Sequence, residues 1–293
     1  MGEPANTTDL AFVDVHVHVA CDDTHRFPRR PTGVGSQWWS EPDGSGPAVL
    51  RTTRHAGAAH VVVVQAVGAY GHDCACASDV VESSAGYASL VTSVDMTAVG
   101  LTAVGLTAVD LTAVDMASSP SACAGWRLFG VGDGAPWLDD ERADLVWSRA
   151  AELDAVIVPT IFTDRLDSLA AVAARYPTVR VALDHCAFAD MGGATGEQAL
   201  LRLAEAPSIR LKVTTHVLDA WLRQGRLDEA FADLVAAFGT HRMCWGSDHP
   251  QHLGSTYVEK LALARHATRH LDREQQSAFF LGTAVELGWS PGR

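Results

Sequence analysis

The sequence predicts an α/β protein that folds as a distorted (β/α)8 TIM barrel, a single domain over residues 1–293. Short apolar, β-branched runs recur eight times, and helix-length segments separate most of them. Runs such as Val61–Val64 show no polar alternation, which is typical of strands buried on both faces of a parallel sheet. No Gly-x-Gly-x-x-Gly follows the first run, so the pattern favours a barrel over an open dinucleotide-binding sheet.

Eight strands and six helices are predicted in chain order. The predicted strands are Phe12–Val19, His60–Val67, Ser89–Asp95, Gly125–Val131, Ala155–Phe162, Val179–His185, Ile209–His216 and His241–Asp248. The predicted helices are Asp139–Leu153, Asp167–Tyr176, Glu197–Glu205, Leu227–Phe238, Tyr257–His270 and the closing helix Asp272–Leu287.

A five-residue repeat fills residues 94–118, in the crossover from the third strand to the fourth. Its units run Val-Asp-Met-Thr-Ala, Val-Gly-Leu-Thr-Ala (twice), Val-Asp-Leu-Thr-Ala and Val-Asp-Met-Ala-Ser. Five residues advance a helix by about 140° net, and an odd period reverses the face in a strand, so the valines form no single stripe. We expect the third helix here, or an irregular substitute. A duplicated expansion without its own function is favoured over a partner-binding coil.

Composition limits the partners of this chain. The formal net charge is −13 and the only two lysines are Lys212 and Lys260, so nucleic acid and anionic membranes are poor partners. No apolar run approaches the roughly 20 residues of a membrane span, and the polar first ten residues lack a signal core. Six cysteines without framework spacing predict a reduced, cytoplasmic protein, with Cys74 and Cys76 a chance pair rather than a metal or redox pair. A homo-oligomer is possible.

Two motifs at opposite ends of the chain are the strongest functional signal. The first, Phe-Val-Asp-Val-His-Val-His, places His16 and His18 on one face of a strand, with Asp14 below them on that face. The second, Cys-Trp-Gly-Ser-Asp-His-Pro, places Asp248 at the close of another apolar strand. Two solvent-side histidines on an edge strand are the alternative interpretation. The apolar neighbours favour a buried pair, which needs polar partners or a shared cation.

Polar side chains also stand where the other predicted strands end, which is where the active sites of such barrels lie. They are Gln65, Asp95, Arg127, Thr160, His185, Lys212 and His216. Tyr70 lies in a glycine-flanked loop, where substrate contact and loop packing are equal alternatives, and His216 is interpreted as a packed or surface histidine. The long loop from Cys21 to Gly46 is predicted to line the mouth through Arg26, Arg29, Arg30, Trp38 and Trp39.

Together these segments resemble the metal-dependent amidohydrolase superfamily, in its amidohydrolase 2 branch. That branch holds dicarboxypyrone lactonases, sugar-lactone and sulfomuconolactone hydrolases, and aminocarboxymuconate- and resorcylate-type decarboxylases. The matching segments are in order and span nearly the whole chain: Asp14-Val-His-Val-His18, Val64-Gln-Ala-Val-Gly-Ala-Tyr70, Arg127-Leu, Leu183-Asp-His185, Trp245-Gly-Ser-Asp-His-Pro250 and Gly282-Thr-Ala284. The resemblance implies a distorted barrel whose catalytic groups surround one site.

The resemblance and the chemistry assign roles to individual residues. The candidate catalytic residues, which are also the candidate metal ligands, are His16, His18, His185 and Asp248. Asp248 is the expected base that takes a proton from water, and His185 is either a further ligand or a group that polarises the scissile carbonyl. The candidate substrate-binding residues are Arg127, Tyr70, Lys212 and Gln65. Arg127 suits a bidentate grip on a carboxylate, with an internal salt bridge as the equal alternative.

Two departures from the family pattern leave the cofactor open. The fourth strand carries no lysine, so the carbamylated-lysine bridge of two-metal members is absent. The fifth strand ends in Pro159-Thr160, where several metal-using decarboxylases have a histidine. A divalent metal, with zinc as the expected ion, and a metal-free site like that of some lactonase-like members are therefore both retained.

The favoured function is hydrolysis of a lactone or related cyclic ester that carries a carboxylate, by Asp-activated water at the C-terminal mouth of the barrel. The nearest alternative is a metal-dependent, non-oxidative decarboxylase of an aromatic or muconate-type acid, which the missing strand-5 histidine disfavours. An inactive barrel that serves as an interaction module is the alternative of another class, and the intact His and Asp residues disfavour it.

Overall fold

The computed structural model describes residues 10–35, 37–99, 123–132 and 134–290. It confirms the predicted single-domain barrel, since eight parallel strands hydrogen-bond in sequence order. The strands are β1 Phe12–Val17, β2 Ala58–Val64, β3 Ala88–Val94, β4 Cys123–Phe129, β5 Ile157–Thr160, β6 Val181–Leu183, β7 Ile209–Thr214 and β8 Met243–Gly246. The first and last strands meet where Asp248 N donates to His16 O at 2.8 Å and His18 N donates to His249 O at 2.7 Å. This contact joins the two motifs.

Helices surround the strands and connect them. They are α1 Gly46–His55, α2 Val67–Tyr70, α3 Ala75–Glu82, α4 Glu141–Leu153, α5 Leu166–Arg175, α6 Gly193–Arg202, α7 Thr215–Arg223, α8 Leu227–Phe238, α9 Tyr257–Ala267, α10 Arg273–Ser277 and α11 Thr283–Glu286. Helix α8 has its predicted bounds. The predicted closing helix is instead divided, because a π-helical turn at Ala278–Gly282 separates α10 from α11.

The predicted strands run one to three residues too far at their carboxyl ends. Polar side chains just beyond the strand ends bond at the mouth of the barrel, as His18 does to Val64 O and His185 to Thr214. The sharpest case follows β6, where a tight turn over Asp184–Phe188 has left-handed backbone from His185 (φ 52°) to Phe188 (φ 55°). Non-glycine residues seldom adopt this conformation, so the surrounding structure must hold the turn in place.

Two apolar layers hold the fold together. The interior of the barrel is filled by small and branched side chains, namely Val13, Val15, Val62, Val64, Val91, Val156, Val158, Ala182 and Cys244. Trp289 closes the amino-terminal end of the barrel and donates from Nε1 to Ala124 O at 2.7 Å. The second layer lies between the strands and the helices. Because the strands are buried on both faces, their sequences are continuous apolar runs.

Strand β1 departs from regular alternation. The register against β2 shifts between Asp14 and Val17, and Val15 packs inside the barrel while Val17 packs in the outer layer. The prediction that Asp14 lies below His16 on the same face is therefore wrong. Asp14 turns to the outer layer, where its carboxylate accepts from Tyr257 of α9 at 2.9 Å.

The cysteines also differ from expectation. A disulfide joins Cys21, after β1, to Cys76 on α3, so the prediction of six reduced cysteines is wrong for this pair. Cys74 is free, and Cys76 pairs with Cys21 and not with Cys74. Disulfides are typical of oxidising compartments, so this pair does not support the cytoplasmic location, which stays a prediction.

Residues 100–122 lie outside the described residues, and they include most of the five-residue repeat at 94–118 and the third crossover helix, or its irregular substitute, that the repeat was predicted to supply. The described start of the repeat forms a turn in which Asp95 accepts from Thr97 N at 3.0 Å, and Met96 and Val99 are buried. Within the described ranges, no helix is long and apolar enough to cross a membrane.

Candidate active site

A cavity of about 510 Å³ opens at the carboxyl ends of the strands. Its most deeply buried lining residues are Arg127, Thr160, His185 and Asp248. Each is at most 3 % exposed, and each lies in or just after a different strand. The structure therefore brings distant parts of the sequence to one point, as expected for the carboxyl face of a barrel.

Three ligand-type atoms converge beside this cavity. His16 Nε2 lies 3.2 Å from His18 Nε2, and Asp248 Oδ1 lies 3.4 Å from His18 Nε2 and 3.8 Å from His16 Nε2. Both imidazoles are completely buried. Atoms around a tetrahedral zinc with bonds of about 2.0–2.1 Å are separated by about 3.3 Å, so the spacing suits one shared ion.

The tautomers of the two histidines strengthen this fit. His18 Nδ1 lies 2.8 Å from Val64 O, which can only accept, so His18 Nδ1 carries the proton. His16 Nδ1 lies 3.2 Å from Asp184 Oδ1, and this carboxylate favours the proton on Nδ1. Both Nε2 lone pairs then face each other, and Asp248 Oδ1 is buried without a hydrogen-bond donor among the described residues. A cation between the three acceptors would relieve their repulsion.

Gly246, the last residue of β8, makes room for His16. A Cβ atom at this position would lie 2.5 Å from His16 Cβ and 3.1 Å from His16 N. Any larger residue would therefore push β1 away from β8. The Trp-Gly-Ser-Asp motif therefore needs glycine at this position because His16, in the other motif, packs directly against it.

Asp184 is a site residue that the sequence analysis did not select. A regular strand would put Asp184 and His185 on opposite faces, but the left-handed turn brings both side chains to the site. His185 Nδ1 lies 2.8 Å from Thr214 Oγ1, and its ring centroid is 4.6 Å from that of His16. The only sequence feature that pointed to Asp184 as a site residue was its position next to His185 at the end of a predicted strand.

Asp184 is the centre of a buried charge network. Its Oδ1 lies 2.8 Å from Lys212 Nζ, and its Oδ2 accepts from Arg127 Nε at 3.0 Å and from Thr160 Oγ1 at 2.7 Å. Burial raises the pKa of Asp184, but Lys212, His16 and Arg127 outweigh it and hold the pKa well below the usual range. Asp184 could also form a ligand group with His16 and His185. The ammonium of Lys212 already faces that carboxylate, so the group that contains Asp248 is the better candidate for holding an ion.

Protonation of the other groups follows from burial. Burial and the charge of Lys212 hold the pKa of His16 well below its ordinary value, so His16 is neutral. Burial lowers the pKa of His185 to about 4. Burial raises the pKa of Asp248, but the imidazoles of His18, His185 and His16 outweigh it and keep that pKa below its usual range. At neutral pH Asp248 is therefore a carboxylate, whereas His16 and His185 are neutral.

The predicted substrate-binding residues are only partly at the cavity. Arg127 lines it, but its Nε is bound to Asp184 and its NH1 donates to Gln65 O at 2.9 Å. Lys212 lies in the middle of β7, wholly buried beneath Asp184, rather than at the end of the strand. The side chain of Gln65 donates to backbone carbonyls of the loop after β2. Tyr70 OH accepts from Cys21 N at 3.0 Å, which is a loop-packing contact.

The loop after β1 contributes differently from the prediction. Val34 and Gly35 line the cavity, whereas the three predicted arginines of the loop are not among its lining residues. Trp38 is buried and its ring stacks on His18 at 5.8 Å between centroids. His216 lines the cavity beside His252, with ring centroids 6.0 Å apart.

The structure is a (β/α)8 barrel with a buried cluster of His and Asp side chains at the carboxyl ends of its strands. A model of the amidohydrolase family matches residues 13–287, so the chain belongs to that family. A curated relative, the L-fucono-1,5-lactonase of Burkholderia ambifaria, is 28% identical over 127 residues. That match covers 39% of this chain and 41% of the lactonase, less than half of its length.

Solved structures share the fold over almost the full chain. An amidohydrolase from Burkholderia multivorans with bound zinc has a TM-score of 0.74 at 21% identity, covering 96% of this chain and 100% of its own. A putative 2-pyrone-4,6-dicarboxylic acid hydrolase from Pseudomonas putida has a TM-score of 0.75 at 20% identity, covering 95% and 97%. At these identities the likeness shows the fold alone.

Proposed function

We propose that this chain is a hydrolase that opens a lactone, with Asp248 as the base that activates water. The observation that carries the proposal is the convergence of His16 Nε2, His18 Nε2 and Asp248 Oδ1 beside a cavity large enough for a small cyclic ester. The family relatives support this reaction class, since one is named a fucono-lactonase and another a pyrone dicarboxylic acid hydrolase.

We further propose that His16, His18 and Asp248 hold one zinc ion, as supported by the ion bound in the Burkholderia multivorans structure. Such an ion would lower the pKa of a nearby water towards neutrality. The chain's own residues prepare this site, because Val64 O and Asp184 fix both histidine tautomers with the Nε2 lone pairs turned inward.

The proposed reaction balances as an ordinary ester hydrolysis. Asp248 takes one proton from water while the water oxygen forms a bond to the carbonyl carbon of the lactone. His185 lines the cavity, and its Nε2–H is free to donate to the carbonyl oxygen when Thr214 donates to Nδ1. The ring C–O bond then breaks, and the leaving alkoxide takes the proton from Asp248 to give a hydroxy acid.

Arg127 and Lys212 are proposed as supports of Asp184. Both cations already face that carboxylate, and Lys212 is completely buried. The predicted carboxylate on the substrate therefore has no support from these two residues and stays a prediction. Thr160 ends β5 and donates its hydroxyl to Asp184, so this strand offers no ligand of the kind that the decarboxylase alternative needs.

Asp248→Asn tests the base assignment. The amide keeps the shape of the side chain but cannot accept a proton, so lactone turnover should fall by about 10²–10⁴. Turnover per folded molecule is measured together with the melting temperature. Asp219→Asn, at a partly exposed rim carboxylate 3.1 Å from His252, is the matched control and should stay active. Near-normal turnover in Asp248→Asn would overturn the base assignment.

Metal analysis of the purified protein tests the zinc assignment. We expect one zinc per chain, lost in His18→Ala because that variant removes one of three ligands. Activity should disappear on chelation and return with added zinc. An enzyme that stays fully active after complete removal of metal would show that Asp248 activates water without an ion, and would leave the proposed hydrolysis standing.

A further inference from the structure

We propose that the substrate is an uncharged lactone whose ring carries an apolar substituent, and that Phe129, Phe162, Phe188 and Met191 hold that substituent. This inference rests on the proposed lactone hydrolysis and adds its substrate class. It follows from the wall of the cavity, which is chemically distinct from the His and Asp centre at its base.

Three aromatic rings stand on consecutive strand ends around one side of the cavity. Phe129 ends β4, Phe162 follows β5, and Phe188 closes the turn after β6. All three are partly exposed inside the mouth, and the rings of Phe162 and Phe188 lie 5.2 Å apart. Phe188 also stacks on His185 at 4.9 Å, so the aromatic wall is continuous with the site of the carbonyl group.

The rim above these rings is apolar as well. Met191 is 66% exposed and Leu253 is 51% exposed, and both line the cavity. Single exposed apolar residues are common, but two that flank an aromatic wall at one mouth form a patch that would be covered by an apolar ligand.

Several polar groups of the wall already have partners. Thr160 donates to Asp184, and His252 Nε2 lies 3.1 Å from Asp219. Arg127 is held by Asp184 and by a backbone carbonyl. A sugar lactone placed against the rings of Phe129, Phe162 and Phe188 would lose hydrogen bonds to water, and the rings offer no equivalent replacements, which disfavours its binding there.

The side of the cavity that would meet the substituent also offers an anionic group little compensation. The buried cations Lys212 and Arg127 face the carboxylate of Asp184, and Asp248 adds a second negative charge at the base of the cavity. A substituent that extends from the carbonyl towards Phe162 and Met191 meets no lysine or arginine among the described lining residues other than Arg127. A carboxylate there would lose its hydration without a new partner.

Binding of stable lactams tests the inference independently of turnover. Calorimetry with the intact protein compares an unsubstituted six-membered lactam with one that carries a pentyl chain. Each buried methylene increases the affinity about fourfold. A pentyl chain that is half buried should therefore make the substituted lactam bind about 30-fold more tightly than the unsubstituted one. Equal affinities for the two lactams would overturn the inference, whether or not the protein hydrolyses any lactone.

Hydrolysis of matched lactones provides the second test. The kcat/KM for a pentyl-substituted lactone should exceed that for the unsubstituted ring by at least 10-fold, and Phe162→Ala and Met191→Ala should reduce this ratio. Met191 is largely exposed, so its truncation leaves folding intact. Leu222→Ala, an exposed apolar residue on α7 outside the cavity, is the control and should leave the ratio unchanged.

The outcomes separate the two proposals. A preference for a sugar lactone or a lactone carboxylate would overturn the substrate class while supporting lactone hydrolysis. Tight binding of the pentyl lactam without turnover of any lactone would support the apolar pocket and overturn the proposed reaction.

Discussion

At the scale of single residues, Asp184 determines the charge balance and the histidine tautomer of the site. Its carboxylate fixes the tautomer of His16 and balances Lys212 and Arg127, and all four side chains are buried. A buried charge is tolerated only when paired and hydrogen-bonded, so these residues depend on one another. The sequence analysis assigned Lys212 to a substrate and left a substrate carboxylate and an internal salt bridge as equal alternatives for Arg127, because nothing in the sequence showed that the turn after β6 directs Asp184 inward.

Removing the charge of Asp184 should therefore destabilise the protein. Asp184→Asn leaves two buried cations without their carboxylate, and we expect a loss of about 3–5 kcal/mol in the free energy of unfolding. Urea unfolding with an unchanged slope measures this loss. The control is Asp144→Asn, which breaks a half-exposed pair with Arg175 and should cost below about 1 kcal/mol. A loss in Asp184→Asn as small as in the control would contradict the network.

At the scale of elements, the two motifs act as one unit. The sequence predicted that β1 and β8 carry the site, because apolar runs with His and Asp at their ends are visible in the chain. It did not predict the register shift that turns Asp14 outward, since a shift depends on pairing with β2. The contact between Gly246 and His16 was equally hidden, because it joins residues at opposite ends of the chain.

Gly246→Ala tests how closely β8 must approach β1. The added methyl group would lie 2.5 Å from His16 Cβ, so β1 must shift and His16 Nε2 must leave its position. We expect a loss of about 1–3 kcal/mol in stability and reduced zinc content and turnover. Gly282→Ala is the matched control, because its nearest neighbour would be 3.8 Å away and no steric strain arises. Wild-type stability and zinc content in Gly246→Ala would contradict this account.

At the scale of the whole molecule, the barrel was predictable because its strands are buried on both faces and its helices are amphipathic. The substrate wall was not, since Phe129, Phe162 and Phe188 are far apart in sequence and meet only when consecutive strands align. The disulfide between Cys21 and Cys76 was missed for the same reason, because 55 residues separate its ends. Local patterns thus predict the elements, whereas closure of the barrel determines which side chains share a cavity.

Folding also buries both lysines of the chain. The burial of one of them, Lys260, makes the free energy of unfolding depend on pH in the alkaline range. Lys260 on α9 is 1% exposed and donates from Nζ to His252 O at 2.5 Å. Burial lowers its pKa from 10.5 to about 8, against the attraction of Asp248 and Asp14. Between about pH 8 and 10.5 the unfolded chain holds a proton that the folded protein has released, so this group makes stability rise with pH.

Lys260→Met should remove that rise. Relative to the variant, the wild-type protein should gain on the order of 3 kcal/mol in the free energy of unfolding from pH 7 to pH 11, because each pKa unit corresponds to about 1.4 kcal/mol. Denaturant unfolding at intermediate pH values follows the two curves, and the tyrosines and cysteines that titrate in the same range cancel in the difference. Parallel curves across the range would contradict this prediction. They would mean that Lys260 keeps its proton in the folded protein up to the pH at which the unfolded chain loses it.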